Sequence, residues 1–273
     1  RLVSDWSSDV CSSDLRTYSN VLRLMDRDPE FLFSHSQPAL YEMTAKDYPD
    51  LFSRIQERVD EGRWEVMGGM WVEPDLNIPG GEALVRQLKL GRSYFAEHFG
   101  DVETMVLWLP DTFGFPGQIP QLMRQAGLKW FVTNKLNWNQ INRVPWSSHV
   151  WEGIDGSQVM AHILTTPRKV QYLPFPTNYK SDLSAGEVMG TVTHATGDQR
   201  DNLPICFGYG DGGGGPTEDL LAKAHAYDRM PGMPRLKMST VRASLDAIEA
   251  KRDEMPVWTG EHYMEGHRGV FTS

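Results

Sequence analysis

The sequence has little cysteine, no long apolar run and no excess of basic charge. Its two cysteines, Cys11 and Cys206, lie far apart in 273 residues. Neither a disulfide framework nor a thiolate zinc cluster is indicated, so a reducing compartment, the cytoplasm, is expected. No apolar run approaches the ~20 residues of a membrane-spanning helix. Lys and Arg number 27 against 36 Asp and Glu, a net charge of −9. Such a chain gains nothing from nucleic-acid phosphates or anionic lipid, which favours a neutral substrate.

Composition is typical of a globular domain with a sizeable core. Hydrophobic residues make up 40% and charged residues 23% of the chain. The length suits one large α/β domain or two small ones. Nine Trp, nine Tyr and eleven Phe form an ample aromatic supply. Such rings mostly pack in cores, and their faces also stack on sugars, so a carbohydrate site gains weak support.

Residues 1–15 differ from the rest of the chain. Ser and Asp dominate there, and the Ser-Ser-Asp triplet occurs twice, with no helical or strand period. We predict a disordered or foreign segment that lies outside the fold, with a genuine flexible terminus as the alternative. Residues 16–273 are then predicted to form one α/β domain.

From residue 16 onward, short apolar strands alternate with amphipathic helices. Strands are predicted at 30–34, 64–67, 104–109, 130–133, 159–164 and 204–207, and helices at 48–62, 82–99, 117–126, 218–227 and 240–252. This alternation is typical of βαβ units around a parallel sheet. Ligands bind at the carboxyl ends of such strands. Residues 166–203 lack a period and are predicted to be a long surface insertion near the site.

Three segments place an acid or a histidine where a strand ends. Asp111 follows one strand, Asp211 lies in the glycine loop 208–217, and His267 lies near the chain end. Two facing carboxylates are the minimum equipment for glycoside hydrolysis. Each residue also has a purely structural interpretation. Asp111 would be a helix N-cap, Asp211 would lie in a mobile turn, and His267 would be a hydrogen-bonded structural histidine.

The glycine loop also matches a dinucleotide fingerprint, Gly208-x-Gly210-x-x-Gly213, between a strand and a helix. Two features disfavour a nucleotide. Asp211 would place a negative charge beside the pyrophosphate, and Pro216 would stiffen the loop where the helix should open.

Seven segments, in this order, resemble glycoside hydrolase family 38, the zinc-dependent retaining α-mannosidases, in its bacterial and cytosolic branch. They are 16–22 (Arg-Thr-Tyr-Ser-Asn-Val-Leu), 34–38 (Ser-His-Ser-Gln-Pro), 68–75 (Gly-Gly-Met-Trp-Val-Glu-Pro-Asp), 108–114 (Trp-Leu-Pro-Asp-Thr-Phe-Gly), 151–157 (Trp-Glu-Gly-Ile-Asp-Gly-Ser), the glycine loop, and 267–273 (His-Arg-Gly-Val-Phe-Thr-Ser). The resemblance implies an α/β fold with a (β/α)7-type, barrel-like parallel sheet of the glycoside hydrolase/deacetylase kind. It also implies a mannose-containing oligosaccharide as substrate.

The resemblance implies roles for the three strand-end residues. Asp111 would be the nucleophile that forms a covalent mannosyl-enzyme, and it would also bind zinc. Asp211 would be the general acid/base, and His267 would be a zinc ligand. In a retaining enzyme the two carboxyl groups are expected about 5–5.5 Å apart. His267 is expected close enough to Asp111 for one cation to touch both.

Further residues are implied near the sugar. Phe113 would pack against it beside the nucleophile. Trp71 and Asp75 are candidate substrate-binding residues in a segment near the site, and Glu73 between them has no assigned role. Four other histidines, residues 35, 98, 149 and 225, are expected to be structural or exposed.

The chain departs from the family pattern at its beginning. The family has a His-x-Asp pair followed by Trp on a first strand, and this pair supplies two of the four zinc ligands. Here the Ser/Asp-rich segment without histidine precedes Arg16. We therefore expect a missing first strand, weak zinc binding and little or no activity in this chain. The family's later helical and β-rich domains, through which it could oligomerise, are absent from the sequence.

Two other functions stay open on the residues. A metal-dependent polysaccharide deacetylase would rely on a His-x-x-x-His pair. None of the eight histidines has that spacing, and His262 and His267 are five apart. A non-catalytic carbohydrate-binding module would not need Asp111 and Asp211 both turned inward.

Overall fold

The computed structural model describes residues 2–100, 102, 104–168, 177–197, 201–210 and 213–266, with side chains from residue 14 onward. In chain order its elements are α1 (Leu2–Arg27), β1 (Phe33–His35), α2 (Pro38–Asp47), α3 (Pro49–Asp60), β2 (Trp64–Val66), α4 (Gly81–Phe99), β3 (Val106–Trp108), α5 (Ile119–Gln125), β4 (Trp130–Thr133), a 3₁₀ helix (Lys135–Trp138), β5 (Ser148–Glu152), β6 (Gln158–Ile163), α6 (Ala185–His194), α7 (Glu218–Tyr227), α8 (Val241–Glu249), a second 3₁₀ helix (Arg252–Glu254) and β7 (Val257–Thr259). Among these residues, no helix combines the length and apolar character needed to cross a bilayer.

The strands form two sheets. β1 and β2 make a parallel pair, and the second sheet has the order β3-β4-β6-β5-β7. All its pairs are parallel except β5 with β6. The predicted parallel sheet is therefore confirmed except for this one antiparallel pair. The cause is the short turn between the two strands, closed by hydrogen bonds from Gly153 N to Ser157 O and from Gly156 N to Gly153 O, because parallel neighbours need a long crossover.

An apolar stripe on helix α1 packs into one core. Val21, Leu22, Leu24 and Met25 are all buried, and they belong to the same cluster as Trp64 of β2. The helix extends back through the Ser/Asp-rich segment to Leu2. That residues 1–15 are foreign to the domain stays a prediction.

A second core lies against the five-stranded sheet. Phe131 of β4 and Trp151 of β5 are fully buried, and their ring centroids are 4.9 Å apart. Strand β4, whose four residues are all buried, reads as the continuous apolar run expected for a covered strand. This sheet holds the ends of β3 and β4 rigidly beside each other.

Two predicted regions differ from the structure. Residues 204–207 were expected to form a strand, but only Phe207 bridges, to Ser181. Pro204 lacks the N–H that a ladder needs. The stretch 166–203 was expected to be an irregular surface insertion. Its described part instead contains α6 and a set of buried polar residues, namely Thr166, Thr177, Asn178, Ser181, Glu187 and Thr191.

Gly91 of helix α4 packs directly against the backbone of the segment that leads to Glu73. A Cβ added at Gly91 would lie 2.5 Å from Gly69 O and 2.8 Å from Met70 C, both backbone atoms that cannot rotate aside. Gly91→Ala should therefore lower the free energy of unfolding by about 1–3 kcal/mol, measured by urea denaturation. Gly81→Ala is the matched control in the same helix, because an added Cβ there meets no atom within 4 Å. Equal stability of the two variants would contradict this close packing.

Candidate active site

Asp111 lies just beyond the end of β3, with its side chain 45% exposed. Its carboxylate Oδ1 forms an ion pair with the ammonium of Lys135, whose side chain is only 6% exposed. Lys135 begins the 3₁₀ helix that follows β4, the strand paired with β3. The carboxyl ends of two neighbouring parallel strands thus bring an acid and a cation together, as their position in the sheet predicts.

Aromatic rings surround the ammonium of Lys135. Its Nζ lies 4.9 Å from the ring centroid of Phe113, 4.0 Å from that of Trp138 and 5.9 Å from that of Tyr179. Ring faces attract a cation, and the ion pair with Asp111 supplies the opposite charge. The ion pair and the three rings therefore fix an almost fully buried lysine side chain at one wall of the site.

Glu73 lies beneath the turn that carries Asp111. Its Oε1 accepts hydrogen bonds from Asp111 N at 2.6 Å and from Thr112 Oγ1 at 3.2 Å. Burial raises the pKa of Glu73 to about 7, and the negative charge of Asp111 adds to the rise, whereas the hydrogen bond from Asp111 N opposes it. This carboxyl fixes the backbone of the turn that presents the predicted nucleophile.

Tyr179 and Lys180 form a further wall. The Tyr179 hydroxyl lies near the Asp111 carboxyl, and burial together with that negative charge raises the pKa of the phenol. Both residues line one cavity with Asp111 and with the described flanks of the glycine loop, Gly210 and Gly213. Asp211 itself lies outside the described residues, so its distance from Asp111 stays a prediction.

The segment that leads toward His267 runs beside the loop that follows Asp111. Phe115 N donates to His262 O at 3.1 Å, and His262 N donates to Phe115 O at 2.9 Å. Glu265 accepts a hydrogen bond from Gln140 N at 2.6 Å, on the loop just after the Lys135 helix. His267 lies outside the described residues, and its predicted place near Asp111 stays a prediction.

The other predicted site residues are placed differently. Phe113 faces the Lys135 ammonium and lies within the Asp111 cluster. Asp75 closes a turn, since its Oδ1 accepts from Asn77 N at 2.7 Å and from Ile78 N at 2.8 Å. Trp71 packs edge-on against Tyr94 of α4, with centroids 5.7 Å apart. Neither Trp71 nor Asp75 is among the residues that line the cavity.

The histidines expected to be structural all have neighbours in the fold. His35 stacks within an aromatic group, and burial lowers its pKa to about 4. His98 lies against the Tyr94 ring, and His225 Nε2 is 2.7 Å from a carboxylate oxygen of Asp28. His149 is fully buried against His262.

The described residues hold no complete set of zinc ligands. None of them form a group of three or more His, Cys, Asp or Glu side chains that could hold a metal ion. Of the two predicted ligands in the chain, Asp111 is paired with Lys135, and His267 is outside the described ranges. The side chains of the described residues alone therefore do not complete a zinc site.

Sequence reasoning missed Lys135 and the pair Tyr179 and Lys180. Lys135 lies two residues after β4, so inspection of every strand end would have found it. Tyr179 and Lys180 carry no such local signal, because they reach Asp111 only through the packing of a stretch without hydrophobic period.

Comparison with known proteins identifies the class. A family model described as the N-terminal domain of glycosyl hydrolases family 38 matches residues 8–261. The chain is 39% identical over 259 residues to Alpha-mannosidase 2C1 of Homo sapiens, covering 94% of this chain and 24% of that protein. It is 37% identical over 270 residues to Alpha-mannosidase of Saccharomyces cerevisiae, covering 95% and 24%. The chain belongs to glycosyl hydrolases family 38.

A solved structure agrees at the level of the fold. The crystal structure of an alpha-mannosidase from Enterococcus faecalis matches with a TM-score of 0.70 at 18% identity. The match covers 90% of this chain and 28% of that one. The chain therefore spans about a quarter of the length of the relatives it matches.

Proposed function

We propose that this domain, within a full-length parent protein, hydrolyses terminal α-linked mannose with retention of configuration. The observation that carries the proposal is the position of Asp111. It lies at the end of a parallel strand, is half-exposed to the cavity that the glycine loop lines, and is paired with a buried ammonium. Membership of family 38 and relatives named alpha-mannosidases support the substrate class, a mannose-containing oligosaccharide.

The proposed mechanism uses two carboxyl groups. Asp111 attacks the anomeric carbon while Asp211 donates a proton to the leaving oxygen, so the glycosidic bond breaks as the mannosyl ester forms. Asp211 then takes a proton from water, which attacks the anomeric carbon and releases Asp111. Before the attack, the Lys135 ammonium pairs with the Asp111 carboxylate and Tyr179 lies beside it, so both hold this carboxylate in place.

We propose that the zinc site and the barrel are complete only in the full-length parent protein. Asp111 and His267 would supply two zinc ligands, and a His-x-Asp strand ahead of Arg16 would supply the others. That strand would also extend the sheets toward the (β/α)7 barrel. The segment after β2 already lies beside β3, since an added Cβ at Gly68 would be 3.9 Å from Trp108 Cβ. Residues 1–273 alone are proposed to bind zinc weakly and to be inactive or nearly so.

The proposed location is the cytoplasm, and oligomers would form through the later domains of the parent. The free thiol of Cys206 supports a reducing compartment. Burial raises its pKa to about 12, so it is not a reactive thiolate.

The test compares the parent protein, its Asp111→Asn variant and the 273-residue chain on an aryl α-mannoside. Hydrolysis is expected from the parent only. Unchanged turnover by the variant would remove Asp111 from the mechanism, and turnover by the chain alone would remove the need for the missing strand.

Lys135→Met in the parent is expected to lower kcat/KM about 100-fold, because it removes the charged donor that faces Asp111 but keeps a chain of similar length among the rings. The measurement is steady-state kinetics on the same aryl α-mannoside. Lys89→Met, on the exposed face of α4, is the control and should leave kcat/KM within about twofold. A Lys135→Met variant as active as this control would show that the ammonium has no role at the nucleophile.

A further inference from the structure

The turn 178–182 presents two side chains to the site. Tyr179 lines the same cavity as Asp111, and its ring lies 5.9 Å from the Lys135 ammonium that pairs with that carboxylate. Lys180 lies against the glycine loop, where a Cβ added at Gly210 would be 3.1 Å from Lys180 Cδ. The neighbouring Ser181 bridges Phe207, at the start of that loop. This turn therefore touches both of the segments that carry the predicted catalytic acids.

A single carboxyl group holds this turn from behind. Glu187 Oε1 accepts from Asn178 Nδ2 at 3.2 Å, and Glu187 Oε2 accepts from Ser181 Oγ at 2.7 Å and from Asp182 N at 2.9 Å. The three donors bracket Tyr179 and Lys180. Glu187 is only 6% exposed, and a buried carboxylate is tolerated where several donors satisfy it.

The helix that carries Glu187 is itself fixed to the sheet. Thr191, one turn further along α6, accepts through its backbone carbonyl from Thr165 Oγ1 at 2.9 Å. Its hydroxyl lies 3.0 Å from Thr166 Oγ1, and both threonines follow β6 directly. The position of Glu187 is thus set by the sheet that also carries Asp111, rather than by the turn it organises.

We propose that Glu187 is a positioning residue for the reaction, which acts by holding the turn 178–182 so that Tyr179 meets the carboxyl of Asp111 and Lys180 meets the glycine loop. This inference rests on the proposed function of the site. It assigns to Glu187 no contact with the substrate. Its effect reaches Asp111 through Tyr179, which gives the proposal a measurable signature.

The experiment uses the parent protein and two matched variants, Glu187→Gln and Glu65→Gln. Glu65 makes a comparable set of bonds, from the Ser34 hydroxyl, from Val241 N at 2.7 Å and from Arg242 N at 2.9 Å. Its donors belong to β1 and α8, and none of them is a residue of the turn 178–182. Glu187→Gln is expected to lower kcat/KM for an aryl α-mannoside about tenfold, mainly in kcat, because misplacement of a catalytic contact costs rate.

Glu65→Gln should lower the urea midpoint and leave kcat/KM within about threefold. A double-mutant cycle then separates positioning from general loss of structure. In a Tyr179→Phe background, Glu187→Gln should lose most of its effect on kcat, since its target hydroxyl is gone. Additive losses in this cycle, or equal losses of kcat/KM in the two glutamate variants, would overturn the proposal.

If Glu187→Gln does not fold, Ser181→Ala replaces it in the experiment. This variant removes one of the three hydrogen bonds that the Glu187 carboxyl group accepts. It should lower kcat about threefold, again with little effect in the Tyr179→Phe background. A separate result would contradict the proposed function itself, namely unchanged turnover by Asp111→Asn. If Asp111→Asn is inactive but the effects of Glu187→Gln and Tyr179→Phe are additive, only the positioning role of Glu187 is contradicted.

Discussion

The Asp111→Asn variant of the parent protein is expected to lose roughly 10⁴-fold or more in kcat/KM for an aryl α-mannoside. The neutral amide cannot attack the anomeric carbon and form the mannosyl ester. It also presents either an N–H or an uncharged oxygen to the Lys135 ammonium, so the ion pair at this position is lost. Steady-state kinetics on the purified parent and variant measure the effect, which lies in kcat because bond formation itself is prevented.

The fold should survive the same substitution. Asp111 is 45% exposed, and its backbone N–H, which donates to Glu73, is unchanged in the variant. Urea unfolding should therefore stay cooperative, with a free energy lower than that of the parent by no more than about 3 kcal/mol, because the almost fully buried Lys135 ammonium loses its charged partner. Asp155→Asn is the matched control, because Asp155 lies in the exposed turn between β5 and β6, where it accepts from Ser157 N at 3.0 Å. It should keep kcat/KM within about twofold, and a comparable loss in this control would point to damage unrelated to the nucleophile.

The parts of the fold that local chemistry dictates could be predicted from the sequence. Helix α7 begins where Thr217 accepts a hydrogen bond from Leu220 N at 3.4 Å, as a threonine N-cap predicts, and its predicted bounds agree with the structure. Strand β4 was likewise predicted with its observed bounds, since a four-residue apolar run has little freedom at either end. Asp111 was found because strand ends are the places to inspect in such sheets.

Helix α6 could not be predicted, because packing rather than propensity creates it. It contains Gly186, Gly190 and β-branched residues, all poor helix formers. A Cβ added at Gly190 would overlap the ring of Pro167, so glycine is required there by a contact made across the fold. The same distant packing carries Glu187 and Tyr179 to the site. Residue spacing in the sequence does not indicate such long-range contacts, so Tyr179 and Glu187 could not be predicted as part of the site.

Acidification is expected to destabilise this chain strongly through three buried histidines. His149, His162 and His262 are each 0% exposed. His149 Nε2 lies 3.0 Å from His262 Nε2, and His162 Nδ1 lies 2.8 Å from Ser148 Oγ. Burial lowers the pKa of His149 to about 4 and that of His162 to about 3, and it lowers the pKa of His262 well below its ordinary value. The charge of His149 also lowers the pKa values of the other two.

Whether acid raises or lowers the stability depends on which state, folded or unfolded, binds more protons. The ordinary histidine pKa is 6.5, so below pH 6.5 the unfolded chain binds protons that the folded chain refuses, down to the lowered values near 4 and 3. Stability is therefore full above pH 6.5 and is lost as the pH falls through this window, by roughly 1.4 kcal/mol per pH unit for each imidazole. At pH 5 the three together should cost about 6 kcal/mol, comparable with the whole stability of many domains. His35, whose pKa burial lowers to about 4, adds to this loss, whereas Asp14 and Glu73, whose pKa values burial raises to about 6 and about 7, oppose a substantial part of it.

The His162→Gln variant isolates one of these contributions. At pH 7.5 it should be less stable than the unsubstituted chain, because the bond to Ser148 and the ring packing are lost. By pH 5 the difference in unfolding free energy should shrink by about 2 kcal/mol, since glutamine takes up no proton. Ser148→Ala is the matched control, because it breaks the same hydrogen bond and keeps the imidazole, so its difference should not shrink in this way. If urea titrations at the two pH values show the same narrowing for both variants, the buried imidazoles are not the source of the acid sensitivity.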